Sequence, residues 1–89
     1  MLSKEPIDLE NVSSKDLDKE ILRLGMIAEL DAVSLYEQLA VKTEDKRIKR
    51  TLLNIAKEEK THIGEFQALL LERDLEQAEE LKKGKNEVK

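Results

Sequence analysis

A carboxylate and the only histidine of the chain stand three residues apart in Glu58-Glu59-Lys60-Thr61-His62-Ile63-Gly64-Glu65-Phe66. On a helix that spacing puts both side chains on one face, about a turn apart. At roughly 100° per residue, Glu59 falls in the middle of the stripe formed by Ile48, Leu52, Ile55, Ala56, Ile63, Phe66 and Leu70. An unpaired carboxylate in an apolar face costs about several kcal/mol or takes up a proton, so a stripe built around one needs a reason such as a bound cation. An earlier helical run repeats the arrangement, with Glu29 at the centre of Leu22, Gly25, Met26, Ala32, Val33, Tyr36 and Ala40. Two inward acids and an inward histidine predict a metal site. Carboxylate oxygen with imidazole nitrogen suits iron or manganese, and zinc competes through raw affinity.

Each residue also has a plainer role to be weighed. In a chain this rich in glutamate, a Glu-x-x-His by itself is a weak signal. Weight comes from the coincidence that the same Glu centres an apolar stripe and that a second helix does likewise. For His62 alone, a satisfied core or interface histidine is the commoner fate, and for Tyr36 ordinary packing on the Glu29 face. Glu58, Glu65, Asp31 and Glu37 lie toward the edges or the wet side, where charges support helices through pairs three or four apart. A zinc protease would need His-Glu-x-x-His, with two histidines. The chain also lacks a Gly-rich phosphate loop, a Ser-His or Cys-His pairing and an EF-hand ladder of acids.

The elements that must position these residues are helices. With 89 residues, 40% charged, 2% aromatic, one Pro and three Gly, the composition is that of a single small helical domain with exposed faces. No Cys is present, which excludes a disulfide framework, a thiolate zinc site and a Cys-bound iron centre. A net charge of −4 argues against a nucleic-acid partner. No apolar run approaches the roughly 18 to 20 residues of a membrane span, and no secretion signal opens the chain. A soluble protein of the cytoplasm is expected.

Residues 1–13 contain Pro6 and no helical period, and are expected to form an extended arm. From about Ser14 to Lys42, Leu17, Ile21, Leu24, Ala28, Leu35 and Leu39 recur at helical spacing. That helix carries an apolar arc about 200° wide, against the ~100° that one partner helix covers. Ile27, Leu30 and Val41 fall outside even that arc, so self-association is expected. Lys42-Thr43-Glu44-Asp45 interrupts the pattern with Thr43 as a candidate N-cap, and so short a link makes the next helix an antiparallel neighbour. The second helix runs to about Arg73, completing a hairpin over 14–74. Asp74-Leu75-Glu76-Gln77 caps a short third helix that Gly84 is expected to end, which leaves 75–89 as a short helix and a polar tail. The fold class is therefore all-α.

Four-helix bundles that bind two irons draw one Glu from each of two helices and a Glu-x-x-His from each of the other two. This chain has one of each, Glu29 and Glu59/His62. Half a bundle predicts that two chains meet to form four helices and one site for two metals. Four carboxylates, two neutral imidazoles and two ferrous ions sum to zero charge. Without metal, the acids would crowd a low-dielectric core.

Over about Asp16 to Asp74 the sequence resembles the encapsulated ferritins, small two-helix ferritin-like proteins associated with encapsulin nanocompartments. The resemblance rests on Ile27-Ala28-Glu29-Leu30-Asp31-Ala32, on Leu35-Tyr36-Glu37 and on the Glu58 to Phe66 segment. It reaches furthest with the ferritin-like domains fused to archaeal encapsulin shells. It implies that Glu29, Glu59 and His62 of each of two subunits bind a di-iron pair, one iron per chain, with Tyr36 beside it. It further implies rings of such dimers, ferroxidase activity, and delivery of ferric iron to the lumen of a shell. Where the family has glutamates leading iron toward the first ligand, this chain has Ala28 and Asp31. Its last residues, Lys85 to Lys89, supply little of the apolar targeting peptide of free cargo members, so either the chain is a domain of a shell fusion or its targeting lies elsewhere. Two other readings stand beside this one. One is a non-catalytic assembly or cargo module whose acids pair with Lys or Arg at interfaces; the other is a peroxide-reducing di-iron protein.

Overall fold

Aspartate side chains cap the starts of two of the three helices, and the apolar stripes set how the helices pack. The computed structural model describes residues 8–88. Within them α1 spans Leu17–Lys42, α2 Lys46–Arg73 and α3 Leu75–Glu87, preceded by one 3₁₀ turn over Leu9–Asn11. No strand forms among the described residues, and none of their helices is long and apolar enough to cross a membrane.

Of the arm expected over 1–13, residues 1–7 lie outside the described residues. The remainder is not fully extended, because the Asp8 carboxylate accepts from the Glu10 backbone N–H at 3.1 Å and from the Asn11 side-chain amide. Helix α1 begins later than Ser14. Ser13 to Asp16 close a turn first, with the Asp16 N–H donating to the Ser13 carbonyl at 3.0 Å. The Asp16 carboxylate is engaged by the Ser13 hydroxyl at 3.3 Å and Lys19 at 3.4 Å, and makes no cap hydrogen bond.

Three residues link α1 to α2. Asp45, not Thr43, is the N-cap of α2: its Oδ1 accepts from the N–H groups of Arg47 at 2.8 Å and Ile48 at 3.0 Å. A carboxylate is the stronger acceptor and satisfies two of the orphaned donors at the helix start. The Thr43 hydroxyl accepts from the Asp45 N–H at 3.2 Å and braces the link instead.

The two long helices lie antiparallel along their stripes, with Ala40, Ala56 and Leu70 buried along the seam. The Cα positions extend over 47 × 38 × 18 Å, a flattened slab. A hairpin of two helices buries one face of each and leaves the opposite faces wet. Leu30 is 56% exposed and Val41 78%, so this part of the apolar excess of α1 finds little cover among the described residues.

Asp74 makes the corner between α2 and α3. Its Oδ1 accepts from the Gln77 N–H at 3.0 Å, and its Oδ2 from Arg23 of α1 at 2.8 Å. Arg23 also donates to Glu20 at 2.7 Å, so one guanidinium ties the start of α3 to α1. Gly84 does not end α3. No glycine among the described residues takes the left-handed conformation that a glycine stop requires, and the helix continues to Glu87.

Candidate metal centre

Glu29 sits midway along α1, and Glu59 and His62 midway along α2. The antiparallel hairpin brings the three together across 33 residues of sequence between Glu29 and His62. His62 Nδ1 lies 3.2 Å from Glu29 Oε2 and 3.4 Å from Glu59 Oε2. One ligand atom from each of the three lies within 4.8 Å of the others. The carboxylates are largely shielded, with side chains 20% and 19% exposed, while the imidazole is 44% exposed. With its proton on Nδ1 the ring donates to Glu29; without it, Nδ1 presents a lone pair between two carboxylate oxygens.

Neither acid has a lysine or arginine partner among the described residues. The cation nearest in sequence, Lys60, reaches Glu37 across the hairpin at 2.9 Å. That pair is half exposed at both ends and contributes little. Two carboxylates converging on one imidazole nitrogen without a neutralising cation suit a divalent metal better than an ion-pair network.

Tyr36 is half-buried on α1, seven residues beyond Glu29, and no hydrogen bond ties its hydroxyl to the cluster among the described residues. Glu58 and Glu65 are exposed, as the helical wheel requires. Glu65 nonetheless joins Glu29, His62, Phe66 and Leu69 in lining an open hollow of ≈ 300 Å³ beside the cluster. Two contributors escaped the sequence reading. One is the Arg23–Asp74 pair, for which an aspartate with both a cap and a distant partner leaves no sequence signal. The other is the packing of Phe66 on Gly25, for which the signal was present: a glycine inside a long helix lowers its stability by about 1 kcal/mol relative to Ala and calls for a packing reason.

Comparison with known proteins bears on this geometry. The rubrerythrin family matches residues 20–89, which include all of the cluster. The chain belongs to the rubrerythrin family. It is similar to a ferritin-like-encapsulin shell fusion protein of Pyrococcus furiosus, with 53% identity over 91 aligned residues. The alignment takes in the whole of this chain and 26% of that protein, so the chain spans about a quarter of the relative's length. The crystal structure of an encapsulated ferritin domain from Pyrococcus furiosus superposes with a TM-score of 0.83 at 51% identity, covering 99% of this chain and 92% of that one. The all-α fold read from periodicity is thus the fold of a solved ferritin-like domain, and this rubrerythrin-family hairpin carries its carboxylate–imidazole cluster at the middle of its two long helices.

Proposed function

We propose that two copies of the chain pack their cluster-bearing faces together into a four-helix bundle, and that Glu29, Glu59 and His62 of each copy bind ferrous iron, one ion per chain, for oxidation by oxygen. The observation that carries this reading is the approach of His62 Nδ1 to Glu29 Oε2 at 3.2 Å and to Glu59 Oε2 at 3.4 Å. Donors bonded to one ion at about 2.0–2.2 Å lie roughly 3 to 3.5 Å apart, so both His62 distances match, and the carboxylate oxygens, within 4.8 Å of each other, need only close toward one another to share a metal. The bundle that results has the donor set of the di-iron carboxylate class.

Iron supplies the electrons: each ferrous ion gives up one, and a pair reduces one oxygen to hydrogen peroxide with two protons. The protein's residues do the rest. Two carboxylates per chain would balance the charge of one ferrous ion, and Glu59 would be the carboxylate shared between the pair. His62 offers Nδ1 as a terminal ligand. Phe66 and Leu69 keep the side toward the hollow apolar. Tyr36, on the Glu29 face, flanks the site. After oxidation each ion carries one more positive charge than its two carboxylates balance, which favours release of the ferric product. The relative from Pyrococcus furiosus is fused to an encapsulin shell. We therefore place this domain, as a ring of such dimers, inside an encapsulin compartment of the cytoplasm that stores the product.

Anaerobic titration with ferrous iron followed by oxygen tests the reading. One iron per chain binds, oxygen then brings up ferric absorption in the near ultraviolet, and Glu59→Ala loses both while staying helical. Iron that binds to no oligomer, or an unchanged oxidation rate in Glu59→Ala, overturns the assignment. Faster oxidation by hydrogen peroxide than by oxygen selects the peroxide-reducing reading in its place.

A further inference from the structure

Of the three glycines, only Gly25 has a neighbour where its side chain would be. A β-carbon at Gly25 would lie 3.0 Å from Cε1 and Cζ of Phe66 and 3.1 Å from Cδ1, whereas one at Gly64 or Gly84 would meet nothing within 4 Å. Gly25 does not have a positive φ, so no backbone conformation requires a glycine there. It lies inside α1, where glycine is unfavourable. What remains is the space it leaves for the ring.

That space is next to the cluster. Gly25 precedes Glu29 by four residues on α1, and Phe66 follows His62 by four on α2, so each lies one helical turn from a ligand, on the same face. Phe66, Glu29 and His62 line the same hollow. The ring seated on bare backbone therefore sets how closely α1 approaches α2 beside the point where Glu29 meets His62. The approaches to a β-carbon there are tighter than ordinary carbon contacts of about 3.5–4.0 Å, so a methyl group at position 25 makes the ring or the helix give by a few tenths of an ångström. A metal constellation tolerates about 0.5 Å, and that shift takes up most of the tolerance.

We infer that Gly25 is a positioning residue for the metal centre: by admitting the Phe66 ring against α1, it fixes the helix separation that brings Glu29 to His62 and Glu59. The inference rests on the proposed metal-binding reading of the cluster.

Cobalt(II), added anaerobically and followed by its visible absorption, reports affinity and ligand geometry without turnover. Gly25→Ala is expected to weaken cobalt binding by about tenfold or more, the range seen when a residue supporting metal ligands is lost, and to alter the spectrum. Far-ultraviolet circular dichroism stays helical, since alanine favours a helix. Adding Phe66→Leu to Gly25→Ala removes the ring and restores binding to within about threefold of Phe66→Leu alone, and Gly64→Ala binds as the wild type does. Wild-type affinity in Gly25→Ala overturns the inference and leaves the metal reading intact. So does a helical double variant that falls below Phe66→Leu by as much as Gly25→Ala falls below the wild type, or an equal loss in Gly64→Ala. A wild-type protein that takes up neither cobalt nor ferrous iron overturns both.

Discussion

If the site is completed only when two chains meet, metal must drive association, and the size of the effect can be worked out. In a single chain, Glu29 and Glu59 present carboxylate oxygens within 4.8 Å of each other on a partly open face. At that distance two unit charges repel by about 0.9 kcal/mol in bulk water and about 3.5 kcal/mol at an effective dielectric of 20. Covering the face with a second copy therefore adds about 2.6 kcal/mol of repulsion per chain, or roughly 5 kcal/mol per dimer, less whatever His62 offsets. A metal that binds the dimer and not the monomer acts in the opposite sense, contributing about 2.7 kcal/mol per ion at a free concentration one hundred times its dissociation constant. Two ions give about 5.4 kcal/mol, which is nearly four decades in the dimer dissociation constant. Manganese(II) is a redox-silent probe for ferrous iron here. Sedimentation equilibrium of metal-free protein, repeated over a dilution series with saturating manganese under nitrogen, measures the shift directly. Glu59→Gln serves as the control: it associates more tightly than the wild type without metal and responds little to manganese. Stoichiometric binding of manganese with a dissociation constant that moves by less than tenfold refutes the linkage and shows an interface formed by apolar contact alone.

Three further outcomes follow. Tyr36→Phe keeps the helical spectrum and one bound iron per chain, because the hydroxyl has no hydrogen bond to the cluster; loss of iron binding would make Tyr36 a ligand. Asp74 is held below its ordinary value of 3.8, chiefly by the Gln77 N–H and then by Arg23 and Lys19, while burial opposes them. A lowered carboxylate stabilises above its ordinary value and loses that contribution as pH falls through the folded one. Amide-exchange protection of α3 should thus hold with respect to this group from pH 7 to 5, drop below about pH 4, and be lost at neutral pH in Asp74→Ala; an unaltered α3 in that variant would refute the clamp. Leu30→Glu leaves manganese binding and the metal-linked dimer intact but lowers the population of larger assemblies in native mass spectrometry, and loss of the dimer itself would show that the two contacts are not separate.

The periodicity of the chain made both long helices and the convergence of Glu29, Glu59 and His62 legible before any coordinates. A stripe centred on an acid fixes which way that acid faces, and a link as short as Thr43 to Asp45 leaves only the antiparallel partner. What stayed hidden was decided by geometry finer than periodicity. Thr43 and Asp45 are both good caps by type. Which one receives the N–H groups of Arg47 and Ile48 depends on how the chain leaves α1, and the carboxylate reaches two donors at once. Gly84 looks like a stop and is not one, since an otherwise favourable run of Lys and Glu tolerates one glycine without a positive φ. In the sequence Gly25 is one member of an apolar stripe. Its meaning lies in the ring opposite it on α2, which a sequence gives only as a residue forty-one positions away.

The two open faces of the slab do not coincide, and that bears on how the protein assembles. Glu29 and Leu30 are about 100° apart on α1, so a copy docked over the cluster does not cover Leu30. Leu30 belongs to a separate groove of ≈ 380 Å³ between α1 and α3, shared with Met26, Ile27, Leu70 and Leu81. The first face is apolar with two acids at its centre, and its burial is costly until a cation arrives. The second carries no acid in its lining, so its burial gains from the hydrophobic effect whatever the metal content. In the proposed assembly, contacts through the second face would therefore form independently of iron, while contacts through the first would respond to it. A chain with both can close into larger assemblies only if each copy uses both faces at once, as in the proposed ring of dimers. In that arrangement iron adjusts the contact that contains the chemistry and leaves the contact that holds the ring.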